Sequence, residues 1–397
     1  MSDFLTPVTA DSLFVNALQQ QASLEQLAGN ALNAGITAYQ KGDYKKAIIA
    51  FRNAIGLAPQ SANAVDTAHY VASSYLKMGD SYNAAKAYEQ AISLDPSRDD
   101  THVKLGNLYY SQEKFQEAET QYFKAAKLNP DPVNFYSLGQ AYIKTGRYND
   151  AEDQFAKIQR LAPKAVNGPY GMGLNFSAQG RYDEAVAKFQ EAISLDDEFY
   201  DAYVEMGYAY ADMGEMDLAQ EVFDKLEEPR PDLADTLSRY MYKVDKPKFA
   251  FAHADVTFPY MQPPRTKVAS LDTYLETPGA SKTFKMVFQF DKEMDRESVE
   301  DRFNWKISRS TASGPGEFYN FGMSVPETEI KLPATPEYVY YDANQLTATV
   351  YFKITQNATA DGTLDPSHIV FKFQGEDTYG QKMDPNADEF SGFSRVG

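Results

Sequence analysis

Four histidines, His69, His102, His253 and His368, are the only imidazoles available as bases, and they lie far apart along the chain. A nucleophile needs a base within hydrogen-bond reach. Metallohydrolases, α/β-hydrolases and nucleotide-binding folds carry HExxH, GxSxG, phosphate-loop or clustered-glycine spacings, and none occurs here. His102 opens a helical pattern and His368 sits in an alternating one, so structural or surface roles are expected for the histidines. There is no cysteine, which excludes disulfides, thiol catalysis and thiolate-bound metals. One hard-oxygen constellation remains. Asp291, Glu293 and Asp295 alternate, with Glu297, Glu300 and Asp301 nearby, a pattern that could hold calcium. The glycine and distal glutamate of an EF-hand loop are missing, so a solvated acidic turn is the expected reading. No catalytic residue, cofactor or metal is assigned.

Composition narrows the remaining functions. The 397 residues are 43% hydrophobic and 14% aromatic, enough for two or three globular domains. Tyr (28) and Phe (25) are abundant, and Trp305 is the only tryptophan. A formal charge of −18 argues against sequence-independent nucleic-acid binding, which needs clustered Lys and Arg, and disfavours anionic membranes. Residues 191–228 hold 13 acidic side chains against one basic, Lys225. That block reads either as a solvated outer face or as a surface for a basic partner. The opening MSDFLTPVTADSLFVNALQQQ has no basic start and no long apolar run, and no segment approaches the ~18 apolar residues of a membrane span. A soluble cytoplasmic protein is expected, with signal-independent export to the surface as the alternative.

Binding chemistry is better represented than catalysis, and a repeat must position it. With Gly106 as origin, Tyr109, Phe115, Ala118, Tyr122, Ala125 and Pro130 follow at fixed offsets. Gly35, Ala72, Gly139, Gly173 and Gly207 head equivalent patterns, so that consecutive origins lie 37, 34, 33, 34 and 34 residues apart. A period near 34 marks a helical array. Each unit reads as two amphipathic helices around a tight turn, often at a glycine such as Gly79, Gly146, Gly180 or Gly214. Small residues let the two helices approach, aromatics fill the gap, and the proline ends the second helix. The longer first spacing places extra residues near Ser61–Thr67.

Leu105, Gly106, Tyr109, Ala118, Tyr122, Ala125 and Pro130 resemble the signature of the tetratricopeptide repeat family. The resemblance implies an all-α superhelix of six helix-turn-helix repeats over residues 24–244. Its closing cap would be Asp232–Val244, and its inner face would be lined by the first helix of each pair. It also implies a non-enzymatic scaffold holding a protein or peptide partner. Helical geometry then selects the groove. The selected residues are Asn33 and Tyr39; His69, Ser73 and Lys77; Lys104, Asn107 and Tyr110; Tyr136, Gln140 and Lys144; Tyr170 and Leu174; Val204, Tyr208 and Asp212. Tyrosine gives large contact area with a polar tip, which suits peptide recognition, although any one of these rings could instead pack between repeats. Lys104 and Asn107 resemble part of the family's clamp for a terminal carboxylate, but too few basic residues converge to complete it.

Residues 1–23 read as a polar segment with a short helix from Thr9. Residues 245–266, with Pro247, Pro259, Pro263 and Pro264, read as a linker or edge segment. Beyond it the period becomes two. TFKMVFQF (283–290), LTATVYFKI (346–354) and IVFKF (369–373) are strands, joined by the candidates FNWKI (303–307) and YVYY (338–341). About seven strands over residues 267–397 suggest an all-β sandwich. Phe290–Asp295 with Ser298-Val299, and Gly375–Met383 near the end, resemble bacterial immunoglobulin-like domains of the surface-layer type, although Lys292 and Glu293 depart from that pattern. That resemblance implies a spacer or adhesion module, and hence the alternative of a structural component in an exported or cell-surface bacterial assembly.

Overall fold

The computed structural model describes residues 10–253, 256–311 and 318–392. Helices α1 to α12 alternate with short turns. They are α1 Ala10–Gln40, α2 Tyr44–Leu57, α3 Ala64–Lys77, α4 Ser81–Leu94, α5 Asp99–Ser111, α6 Phe115–Leu128, α7 Pro132–Lys144, α8 Tyr148–Leu161, α9 Asn167–Ser177, α10 Tyr182–Leu195, α11 Tyr200–Met213 and α12 Met216–Glu227. A thirteenth, α13, spans Pro231–Val244. None is long and apolar enough to cross a membrane. By compactness the chain divides into two units. One holds the helices to Met213 with Gln220–Leu233, and the other holds Ala234 onward with Gly214–Ala219.

In the helical unit the origin glycines are close-approach points. A Cβ on Gly106 would lie 2.6 Å from the Tyr122 ring, and one on Gly139 would lie 2.6 Å from Phe155. Phe155 is shared: Gly171, on α9 of the next repeat, leaves room for the same ring. On the same short helix Gly173 leaves room for Phe189 and Gly168 for Gln159. Asp43, Asp80 and Asp131 cap α2, α4 and α7 by accepting backbone N–H bonds from Lys46, Asn83 and Asn134 at 3.1, 3.0 and 2.8 Å. The turn inside most repeats needs a left-handed residue, such as Gly146 at φ 74°; in the third repeat Glu113 takes that role at φ 60°. Two expectations shift. QQQAS (19–23) contains no helix breaker, so α1 continues from Ala10 to Gln40 instead of forming a short helix followed by a repeat. The extra residues of the first spacing lie between Leu57 and Ala64, with Thr67 already inside α3.

The second unit contains antiparallel sheets. The larger has the order β1 (Phe249–Ala252), β3 (Ser281–Phe290), β6 (Thr347–Thr355), β5 (Tyr338–Asp342). A three-stranded sheet runs β4 (Trp305–Arg309), β8 (Ile369–Phe373), β9 (Glu389–Phe390), and β2 (Thr266–Lys267) pairs with β7 (Thr363–Leu364). Alternation buries Phe284, Met286, Phe288 and Phe290 of β3 and Ala348, Val350, Phe352 and Ile354 of β6. Their rings meet those of the smaller sheet: Phe288 lies 5.3 Å from Phe371 and 5.6 Å from Trp305, and Phe290 lies 5.5 Å from Phe373.

Residues 245–266, read as a linker or edge segment, contribute a strand to the larger sheet. Residues 249–252 are an edge strand of the larger sheet, and Phe249 and Phe258 belong to its core. Pro247 and Pro259 flank that strand without interrupting it, and an edge position tolerates them.

Lys292, the residue that departs from the immunoglobulin-like pattern, is buried. Its ammonium donates to the carbonyls of Tyr242 and Asp245 at 2.6 and 2.9 Å, at the C-terminal end of α13. It also lies 2.7 Å from Asp377, as an ion pair whose angle is not that of a hydrogen bond. The rings of Tyr242 and Tyr379 stand 4.8 and 5.6 Å away. A cation is favoured there by the helix C-terminal carbonyls, the carboxylate and two π faces.

Candidate functional site

The expected groove residues fall into two groups. On the first helices of the later repeats, tyrosine rings are half-buried and held by phenylalanines. Tyr110 meets Phe115 edge-on at 5.2 Å, Tyr136 tilts against Phe155 at 6.0 Å, and Tyr170 lies 5.9 Å from Phe189 and 4.9 Å from Phe199. Burial raises all three phenols, Tyr136 to about 12. Gln140 lies beside the Tyr136 hydroxyl, and Tyr208 is half-buried on α11.

The earlier repeats are organised by charge. Arg98 bonds Asp66 at 3.0 Å and Asp100 at 2.8 Å, and Lys104 reaches Asp100 at 3.3 Å. Arg98, the largest cause, and then Lys104 hold the Asp100 carboxyl well below the usual range, against burial, which raises it. His69 shares a 2.9 Å hydrogen bond with Thr101, and burial lowers its imidazole pKa. Lys104 is therefore engaged inside the protein, and Asn107 spends its carbonyl oxygen on the Tyr122 hydroxyl at 2.7 Å. Ser73 bonds Tyr88, and Tyr39 packs against Tyr44 and Tyr70 at 5.4 and 6.2 Å. Asn33, Lys77, Lys144 and Asp212 are exposed, Leu174 is half-buried and Val204 is buried.

Sequence comparison gives these helices a family. Models described as "TPR repeat" and "Tetratricopeptide repeat" match residues 173–214 and 72–132, and a second "Tetratricopeptide repeat" model matches 30–61, 134–164 and 200–232. Residues 30–232 belong to the tetratricopeptide repeat family. Among solved structures, a tetratricopeptide repeat protein from Parabacteroides merdae ATCC 43184 is 21% identical, with a TM-score of 0.48 over 55% of this chain and 89% of that one. The pilF protein of Pseudomonas aeruginosa is 16% identical, with a TM-score of 0.41 over 55% of this chain and 99% of its own. YrrB, described as a tetratricopeptide protein with an unusual peptide-binding site, is 24% identical, with a TM-score of 0.36 over 48% of this chain and 97% of its own. No curated protein matches the sequence.

Within the tetratricopeptide array the residue that sequence reasoning missed is Glu205 on α11. It is half-buried, and burial followed by the neighbouring Asp201 raises its carboxyl, with Lys144 opposing. Its charge is felt by the phenols of Tyr136, Tyr170 and Tyr208. The signal was available: Glu205 stands two residues before Gly207, the offset at which Lys104 precedes Gly106, and Asp201 repeats the offset of Asp100. Counting Glu205 within the acidic block of 191–228 concealed it.

The remaining histidines have structural partners. Within the array His102 bonds Gln121 at 2.8 Å, and in the second unit His253 bonds Gln289 at 3.0 Å. His368 pairs with Asp365 at 2.7 Å, and Asp365 also accepts from the Asn320 backbone at 2.6 Å and from Ser367 at 2.9 Å, all fully buried. The calcium candidates have separate tasks: Asp291 accepts the Lys248 N–H at 2.9 Å, and Asp295 caps the short helix Arg296–Glu300 through Ser298 N–H at 2.7 Å. Glu293 receives no such role; its backbone N–H meets the Tyr242 hydroxyl at 3.3 Å. Among the described residues no group of three or more His, Asp or Glu side chains converges as metal ligands.

Proposed function

We propose that the tetratricopeptide array is a non-enzymatic scaffold that holds an extended segment of a partner protein against α5, α7, α9 and α11. The observation behind this reading is the set of tyrosine rings on successive first helices, Tyr136 and Tyr170 three residues before their origins and Tyr110 four after its own. Tyr110, Tyr136 and Tyr170 keep part of their surface accessible while phenylalanines fix their orientation. Rigid amphipathic rings lose little entropy on binding, which is why such residues dominate interface energetics. Gln140 adds a side-chain amide for a partner's backbone. The array is assigned to residues 24–244. The strand-rich unit is assigned as an immunoglobulin-like sandwich, a second interaction or positioning module.

The test uses the whole chain as bait and compares wild type with the double variant Tyr136→Ala, Tyr170→Ala. A partner segment recovered by wild type and then titrated should lose about 2–4 kcal/mol of binding to the variant. Equal affinity for the two baits refutes the groove.

A further inference from the structure

The two ends of the array treat their carboxylates differently. Asp66 and Asp100 of the earlier repeats are neutralised internally by Arg98 and Lys104. Glu205 has no hydrogen bond or ion pair with any described residue, and Lys144 is the one cation acting on it. It is half-buried on α11, two residues before its origin Gly207, on the helical face that Tyr136 of α7 and Tyr170 of α9, each three residues before its origin, and Tyr208 of its own helix also occupy, and its charge acts on all three phenols. Tyr136 and Tyr170 cannot swing freely, since Phe155, Phe189 and Phe199 pack against them. A carboxylate removed from water and left unpaired is unfavourable. Tyrosine faces favour a cation in addition. A lysine or arginine side chain satisfies both, laying its aliphatic stem on the rings and its charge on the carboxylate.

We infer that the later half of the groove receives a lysine or arginine side chain of the bound segment, with Glu205 as its counter-charge and Tyr136, Tyr170 and Tyr208 as its walls. The inference rests on the groove reading. It adds the chemistry of one specificity position. The 13 acidic residues against one basic over 191–228 supply the long-range attraction that brings such a segment to this end. They do not supply the selectivity, because that field belongs to many residues and the cage to one carboxylate.

The experiment uses full-length protein and two fluorescein-labelled, end-capped octapeptide pools, degenerate at every position but the fourth. That position is lysine in one pool and norleucine, its uncharged near-isostere, in the other. Anisotropy titrations are run on wild type and on Glu205→Gln. Wild type is expected to bind the lysine pool at least tenfold more tightly, and Glu205→Gln to bind the two pools alike. Adsorption to general negative charge would survive this substitution, which removes one of 56 acidic side chains. A lysine preference retained by Glu205→Gln overturns the inference. Equal binding of both pools by wild type also overturns it while leaving the groove reading in place. Binding of neither pool by wild type overturns both.

Discussion

Replacing Lys292 with methionine removes a buried cation and leaves its partners behind. Asp377 is 1% exposed, and its other oxygen is already committed to the Tyr379 and Gln381 N–H groups at 2.8 Å each. It cannot turn to solvent without giving up those bonds. The carbonyls of Tyr242 and Asp245 lose their donor at the same time. Breaking a buried pair from one side costs about 3–5 kcal/mol, a large share of the stability of an ordinary domain. Asp377→Asn should cost less, because an amide oxygen still accepts the two N–H bonds and Lys292 keeps both carbonyls. In the double variant neither charge is stranded, so its loss should fall below the sum of the single losses by about 2 kcal/mol. The assay is urea unfolding of the whole chain followed by tryptophan fluorescence. Trp305, the sole tryptophan, is 1% exposed in the core of this unit and donates to Val299 O at 2.8 Å, so its signal reports this unit alone. A Lys292→Met loss under about 1 kcal/mol, or strictly additive single losses, would refute the account.

Other consequences are testable on the same chain by far-UV circular dichroism, which follows the helices. Gly171→Ala should destabilise by about 1–2 kcal/mol as the new Cβ meets Phe155, despite alanine's better helix propensity, and adding Phe155→Leu should recover part of the loss. Glu113→Gly should stabilise by about 0.5–1 kcal/mol by relieving a non-glycine residue at φ 60°. Burial lowers the His69 pKa below its unfolded value of about 6.5, so the unfolded chain binds more protons as the medium acidifies. The stability contributed by the neutral ring is therefore present above that value and lost progressively below it as the pH falls through the lower folded-state pKa. The urea midpoint of wild type should consequently drop further between pH 7 and pH 5.5 than that of His69→Gln, and parallel drops would count against the assignment.

The array was legible because its constraints repeat. Gly106, Ala118 and Tyr122 each meet a steric demand that recurs in every unit, and Pro130 recurs in all but the fifth, where Asp197 stands, so six weak patterns in register became one strong one. The strands of the second unit were legible for the same reason on a shorter scale, through alternation in β3 and β6. What escaped was non-repeating. The prolines flanking Phe249 left linker and edge segment undecided, because an edge tolerates them. Lys292 looked like a deviation because its partners, Asp377 and two carbonyls at the end of α13, are distant in sequence or belong to the backbone. The half-buried tyrosines of the first helices were selected from helical geometry alone. Which polar groups there are already satisfied depends on pairings such as Arg98 with Asp66, 32 residues apart, that no local pattern encodes.

Phe155 belongs to one repeat by sequence and to two by packing, since Gly139 and Gly171 both make room for it. Such a ring makes the interface between neighbours as specific as the interior of either. In a linear array, stability is a sum of unit and nearest-neighbour contributions, and here much of the apolar burial falls in the second kind. The fourth and fifth repeats are thus expected to melt as one cooperative block and to exchange their core amides at a common rate. Excising either one would leave a phenylalanine facing water or a glycine facing nothing.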